Sequence, residues 1–242
     1  MAHFYLLETL ESTTVGSTIV LDGAEGRHAA TVSRVRAGEP FSLGNGRGLV
    51  VAAEVLSTSK DTVELRVDSV EQMTPETPQI YLVQALAKTD RDERAVEAAT
   101  ELGIDVVIPW AADRSISKWE GPKIDKGRSR WSAIVREATK QSIRAFLPRV
   151  GPHLKTAHLI SELEDAHIIV LDPTGTVPLS QIELDERDIA LVVGPEGGIT
   201  EAELARFSEA GASTVTLGSN ILRTSTAGPA ALAIINAKLG RC

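Results

Sequence analysis

The sequence predicts an α/β domain built on a largely parallel sheet and preceded by a small β-rich module. Two contrasting patterns predict it. From Ile80 onward, short apolar runs alternate with stretches of helical spacing, the order of parallel strands joined by crossover helices. Before residue 72, short strand signals follow one another with Gly and Asp between them and a single helical stretch. Thr74-Pro75-Glu76-Thr77-Pro78 separates the two patterns, and a Pro-containing connector of this kind places a domain boundary there, with modules 1–72 and 73–242.

In the first module the expected strands are Phe4–Leu7, Ser17–Leu21, Phe41–Leu43, Leu49–Val55 and Val63–Val70, with a helix over Glu25–Val35. Gly44-Asn45-Gly46-Arg47-Gly48 sits between two of these strands. It lacks the spacing of a dinucleotide turn and precedes a strand, so it is expected as a hairpin turn. In the second module Ile80–Leu86 is a strand. Arg91–Leu102 is a helix with Ala95, Ala98, Ala99 and Leu102 at helical spacing. Gly103 closes it in the left-handed conformation that helix ends favour. Val106–Pro109 is the next strand. A basic helix over Lys126–Arg144 follows, carrying Trp131, Ile134, Val135 and Ala138. Then come strand His167–Leu171, strand Ile189–Val193, helix Thr200–Ala210, strand Ser213–Leu217 and helix Ser225–Leu239.

Composition sets bounds on function. The chain has 242 residues, 43% of them apolar and 24% charged, as ordinary globular domains do. No apolar run reaches the roughly 18 residues a membrane span requires, and the N-terminus lacks the basic and apolar regions of a signal peptide, so a cytoplasmic location is expected. The single cysteine, Cys242, excludes disulfides and thiolate metal sites as organising features, and the five histidines show no metal-ligand spacing. No metal is expected. The net charge of −8 is unevenly spread. Residues 1–72 hold 6 Lys and Arg against 10 Asp and Glu, whereas 114–149 hold 10 against 3. Such a patch attracts a polyanion whatever the total charge.

Two loops carry the strongest signal. Gly194-Pro195-Glu196-Gly197-Gly198 follows a strand and precedes a helix, and its proline and glycines make a tight turn whose main chain can approach a ligand. Thr200 and Glu203 form a capping box for the helix behind it. Leu217-Gly218-Ser219-Asn220-Ile221-Leu222-Arg223-Thr224 ends in a helix whose small residues permit close packing, with Thr224, Ser225 and Thr226 as candidate N-caps. Arg223 in that position calls for an anionic partner or ligand. Asp172-Pro173-Thr174-Gly175 is a third strand-end turn. Ligands of open α/β sheets bind at that edge, so the loops together suggest one small-molecule site.

Taken together these segments resemble the SPOUT superfamily of RNA methyltransferases, and within it the bacterial 16S ribosomal RNA (uracil-N3)-methyltransferases, over essentially the whole chain. His28-x-x-x-Val32-x-Arg34 resembles the family's N-terminal RNA-binding module. Lys88 with Ala98-Ala99-Thr100-Glu101-Leu102-Gly103-Ile104 resembles a second segment. Arg114-Ser115, Arg130-Trp131, Glu137-Ala138, Gln141-Ser142-x-Arg144 and Pro148 resemble its central basic stretch. Gly194–Gly198 and Leu217–Thr224 resemble its cofactor loops. The chain departs at Asn220, where the family often has Arg, at Ser225, where it often has Glu, and at His3-Phe4-Tyr5, where the pattern is Arg-Phe-Phe.

The resemblance implies a PUA-like β-barrel domain followed by a SPOUT-type α/β domain whose C-terminal segment forms a trefoil knot, and a homodimer. It implies S-adenosyl-L-methionine as methyl donor, held mainly by backbone groups of Leu171, Gly194, Glu196, Gly197, Leu217, Ile221 and Leu222, with Pro195, Gly218, Thr224 and Ala227 beside them. The implied substrate is 16S ribosomal RNA of the small ribosomal subunit, contacted by Arg27, His28, Arg34, Arg114, Arg130, Gln141 and Arg144. Uridine N3 must lose a proton before it can be methylated, leaving an anion. Arg223 and Arg144 are the candidates to stabilise it, with Glu137 as the carboxylate for general-base work. The alternatives are a ribose 2′-O-methyltransferase of the same superfamily, whose Asn-Glu-Gly and Ser-Leu-Asn-Val motifs are not found here, and a non-catalytic RNA-binding assembly factor. A nicotinamide enzyme fails for want of a Gly-x-Gly-x-x-Gly turn after a strand.

Overall fold

The computed structural model describes residues 4–241; His3, with its departure from the family pattern, and Cys242 lie outside the described residues. The chain forms two compact units, one of residues up to Pro75 joined by Thr139–Leu147, the other of Glu76–Ala138 with Pro148 onward.

In the first unit, β1 (Phe4–Leu6), β2 (Thr18–Leu21), β3 (Pro40–Gly44), β4 (Leu49–Thr58) and β5 (Val63–Gln72) make a sheet in the order β1-β3-β4-β5-β2. Leu49, Val51, Ala53 and Val55 are buried on β4 while their neighbours are not, the period-two pattern of a strand with one face on the core. They meet Tyr5, Phe41, Leu43, Val63, Leu65 and Val67 there. Register shifts at Ala52/Ala53 and Val55/Ser57 mark bulges, which bend and twist a ladder. The sheet is accordingly a curled half-barrel, the form the expected PUA-like β-barrel takes here, and among the described residues its end strands, β1 and β2, do not pair with each other. Gly44–Gly48 is the hairpin turn between β3 and β4, held by Asn45 Oδ1, which accepts from the amides of Arg47 at 2.7 Å and Leu49 at 3.1 Å. The helix expected over Glu25–Val35 is instead a short α1 (Gly23–Arg27) continued as a π-helical turn, His28–Ser33, that ends on Arg34 at φ 54°.

The second unit contains β6 (Ile80–Ala85), α2 (Arg91–Glu101), β7 (Val106–Ala111), α3 (Pro122–Gln141, whose last three residues group with the first unit), β8 (Arg149–Val150), β9 (Leu154–Lys155), α4 (Thr156–Glu162), β10 (His167–Leu171), β11 (Val177–Pro178), β12 (Ile189–Val193), α5 (Glu201–Glu209), β13 (Ser213–Thr216) and α6 (Thr224–Leu239). Its sheet runs β11-β13-β10-β12-β6-β7-β8, with β9 also on β7, and every pairing is parallel. β10 and β12 are buried along their whole length, as strands covered on both faces must be. On one face Val83, Ile108, Trp110, Val170 and Val192 pack with Leu159 and with Phe207 of α5. On the other lie α2 and α6. The approach of α6 depends on Gly228, where a Cβ would fall 2.9 Å from Leu82 Cδ1.

Two helix ends differ from expectation. The basic helix stops at Gln141, not Arg144, because Ile143 turns left-handed at φ 57°. The amides of Ile143 and Arg144 then donate back to the carbonyls of Lys140 and Thr139, a Schellman closure without glycine. At α6 the N-cap is Arg223, with no side-chain cap; Thr224, Ser225 and Thr226 all lie inside the helix.

Two histidines, buried His167 and half-buried His153, are expected to give the fold a pH dependence. Burial pushes the imidazole of His167 below its ordinary range, opposed by Asp185 and aided by Arg187, and burial also lowers His153, aided by Lys155. The unfolded chain therefore binds protons at these sites first, and stability falls as pH drops through the ordinary histidine range near 6.5 toward the lower folded values. Melting curves between neutral and mildly acidic pH should show this loss. The slope should flatten when His153 and His167 are both replaced by Gln; an unchanged slope assigns the pH dependence to other groups.

Candidate active site

The carboxyl ends of β10, β12 and β13 open into a cavity of about 510 Å³, within the range of small-molecule sites. Leu171, Asp172 and Pro173 line it from the first loop, Gly194 to Glu196 with Gly198 and Ile199 from the second, and Leu217 to Arg223 from the third. Thr224 and Ala227 of α6 and Arg91 of α2 complete the wall. This is the edge at which open parallel sheets bind ligands.

Local chemistry explains how the glycine loop is held. Gly198 has φ +73°, a conformation that residues with a Cβ rarely adopt, and a Cβ on Gly194 would lie 2.7 Å from Ile199 Cγ1. Behind the loop the capping box forms as expected: the Thr200 hydroxyl accepts from the Glu203 amide, and the Glu203 carboxylate accepts from the Thr200 amide. The Thr224 hydroxyl donates to Gly194 O at 2.8 Å and accepts from Gln84 Nε2 at 2.9 Å, joining the start of α6 to the ends of β12 and β6. Gln84 is fully buried. Glu196 Oε1 accepts from Arg91 Nη1 at 2.9 Å and from the Lys88 amide at 3.1 Å.

The expected site residues divide clearly. Leu171, Gly194, Pro195, Glu196, Leu217, Gly218, Ile221, Leu222, Thr224 and Ala227 all line the cavity, and so does Arg223. Gly197 is outside the lining and packs on Arg114, whose guanidinium donates to Gly197 O at 3.2 Å. Glu137 and Arg144 do not line the cavity; Arg144 belongs to the first unit. Arg223 is exposed, and its side chain makes no hydrogen bond or ion pair among the described residues. Of the residues expected to meet RNA, Arg27 pairs with Asp61 at 3.0 Å, and the His28 ring lies 6.0 Å from that of Tyr5. Arg130 forks onto Glu93, whose carboxylate raises its pKa. Arg34 caps the π-helical turn, and Gln141 is exposed at the end of α3. Arg91 and Gln84 are contributors that the sequence reading does not single out. Their partners lie 105 and 140 residues away, and no local pattern announces them. Among the described residues no group of three or more His, Cys, Asp or Glu side chains is arranged to hold a metal ion, and no helix is long and apolar enough to cross a membrane.

Comparison with known proteins gives this geometry a family. Residues 75–236 match the model of the RNA methyltransferase domain, and residues 21–68 match that of the RNA methyltransferase PUA domain. The ribosomal RNA small subunit methyltransferase E of Mycobacterium bovis is 39% identical over 247 aligned positions, covering 100% of this chain and 94% of that protein. The chain belongs to the ribosomal RNA small subunit methyltransferase E family. It is an RNA methyltransferase. The Bacillus subtilis member of the family is 31% identical, covering 98% of this chain and 96% of its own. Among solved structures, the family member from Neisseria gonorrhoeae bound to S-adenosyl methionine superimposes with a TM-score of 0.88 at 31% identity, covering 98% of both chains. A putative methyltransferase from Legionella pneumophila in complex with its bound cofactor SAM also gives 0.88, at 27% identity and 98% coverage of both.

Proposed function

We propose that this protein transfers the methyl group of S-adenosyl-L-methionine to N3 of a uridine in 16S ribosomal RNA of the small ribosomal subunit. The observation that carries the reading is the cavity at the strand ends with Arg223 on its wall, its guanidinium without a partner among the described residues. The cavity suits the donor: backbone groups of the glycine loop stand beside apolar Leu171, Val193, Val215 and Leu217. Ile221 is 81% exposed at its lip, an apolar side chain that a bound ligand would cover. Leu171, Gly194, Glu196, Leu217, Ile221 and Leu222 would hold it, with Pro195, Gly218, Thr224 and Ala227 shaping the space and Gly197 bending the loop. When bound there, S-adenosylmethionine supplies an electrophilic methyl group on a positively charged sulfur.

The chain's own residues position N3 and stabilise the anion formed when its proton leaves. We give the stabilising role to Arg223 first. Arg144 is the second cation and Glu137 the candidate base; neither lines the cavity, so we place both roles across a homodimer. The first module (1–72) and the basic stretch, with Arg27, His28, Arg34, Arg114, Arg130 and Gln141, position the RNA through phosphate and sugar, and residues 73–242 carry out transfer. The uridine is expected to be splayed out of its helix. We further propose, from the family resemblance, that the C-terminal segment threads as a trefoil knot. The reaction is placed in the cytoplasm and without a metal.

Incubation with S-adenosylmethionine and 16S RNA or 30S particles, followed by nuclease digestion and mass analysis, should yield N3-methyluridine. A ribose-methylated nucleoside would replace this reading with 2′-O transfer. Absence of S-adenosylmethionine binding in isothermal titration would replace it with a non-catalytic assembly role.

A further inference from the structure

The turn between β6 and α2 is strained where strain is least expected. Thr89 and Asp90 are consecutive non-glycine residues in the left-handed region, at φ 54° and 47°. Thr89 is β-branched, for which this conformation is an outlier. Such conformations persist where the surroundings over-determine them, and they cluster at binding sites. Here two carboxylates fix the turn. Buried Asp92 accepts from the Ala87 amide at 3.1 Å, and Glu196 accepts from the Lys88 amide and the Arg91 guanidinium.

The charges around this turn are unequally satisfied. Its acids all have partners: Asp90 pairs with Arg94 at 2.9 Å, Asp92 with backbone amides, and Glu93 with Arg130. The cations do not. Lys88 is exposed, and its ammonium has no ion pair among the described residues. Arg91 uses Nη1 on Glu196, and Arg114 uses Nη1 on Gly197 O. Each guanidinium has five donors. Two arginines, one at the start of α2 and one in the loop after β7, thus grip adjacent residues of the glycine loop, and most of their donors are unused among the described residues.

We infer that Lys88, Arg91 and Arg114 form a phosphodiester-binding site beside the cavity, taking a backbone phosphate of the RNA next to the methylated nucleotide. Arg91 links that phosphate to the glycine loop through Glu196. This rests on the methyl-transfer reading above. Only Arg91 of the three lines the cavity, so an anion that meets all of them must extend beyond it. A polyanionic strand does so, and the carboxylate of a small ligand enclosed in the cavity does not. Guanidinium forks match phosphate oxygens two at a time, and a neighbouring ammonium adds a point charge.

The test measures affinity for 16S RNA over a series of salt concentrations, and separately the dissociation constant for S-adenosylmethionine. Arg91→Gln should lower the slope of log affinity against log salt by about 0.7, the value for one single-stranded phosphate contact, and weaken RNA binding about tenfold. Cofactor affinity should stay within about twofold in Lys88→Gln, whose residue is outside the cavity lining, and Arg91→Lys should restore the slope because it restores the charge. Lys88→Gln, at an exposed side chain, should lower the slope in the same way and serves if Arg91→Gln fails to fold. Unchanged slopes in both variants overturn the site. So does a loss confined to cofactor affinity, which would make Arg91 a prop for the glycine loop alone. A wild-type protein that binds S-adenosylmethionine yet transfers no methyl group would instead remove the activity on which the site depends.

Discussion

Replacing Arg223 by alanine is expected to reduce methyl transfer by a factor of about 100 to 1,000 or more, the cost of removing one preorganised electrostatic donor from a transition state. The protein should stay folded. The side chain of Arg223 is exposed and has no hydrogen bond or ion pair among the described residues. Its backbone, which supplies the carbonyl accepting from the amides of Thr226 and Ala227, is unaltered by the substitution. Surface changes of this kind usually shift stability by no more than about 0.5 kcal/mol. Arg223→Lys keeps the charge but loses the planar fork, and should fall between wild type and alanine. Single-turnover rates with saturating donor and RNA separate the chemical step from binding. Near-normal turnover in Arg223→Ala would take this residue out of the mechanism.

Most of this architecture is legible in the residues because the relevant signals are local. Strand β12 is a continuous apolar run and β6 and β10 are each broken by a single polar residue, Gln84 and His167, while the box at Thr200 and Glu203 is a four-residue pattern that forms as its spacing requires. The glycine loop is legible for the same reason: Gly198 at φ +73° reports a backbone conformation that is written into the residue type. What escapes is short or distant. β8, β9 and β11 have two residues each, too few to show any period. The end of α3 depends on Ile143 in a conformation glycine would normally signal. The capping expected of Thr224 gives way to a tertiary contact, since its hydroxyl is drawn to Gly194 and Gln84 across the sheet. Glu137 and Arg144 sit in the segment where α3 leaves one unit for the other, and no sequence spacing reveals whether such residues reach the cavity.

The largest effect on stability is expected at Glu203, which is 1% exposed. One of its carboxylate oxygens accepts from the Asp113 amide at 3.0 Å and the Thr156 hydroxyl at 2.9 Å; the other accepts from the amide and hydroxyl of Thr200 at 3.1 and 2.9 Å. Thr156 in turn accepts from the buried indole of Trp110 at 3.2 Å. A single side chain therefore ties together the loop after β7, the start of α4 and the start of α5 behind the glycine loop. Glu203→Ala leaves these donors without an acceptor and opens a void. At about 1–3 kcal/mol for each buried group left unsatisfied, the loss should reach about 3–5 kcal/mol, a large share of the roughly 5–15 kcal/mol that holds a domain folded. Glu203→Gln retains the volume and one acceptor oxygen but turns an amide N–H₂ toward donors, so an intermediate loss is expected. Denaturant titration reads both, with the midpoint falling most in the alanine variant. Because Asp113 adjoins Arg114, and Thr200 follows directly on the glycine loop, S-adenosylmethionine affinity should fall in the same order in whatever fraction remains folded. A stability loss below about 1 kcal/mol in Glu203→Ala would mean that water replaces the carboxylate at little cost, and that the loops around the cavity are held by their own backbone geometry.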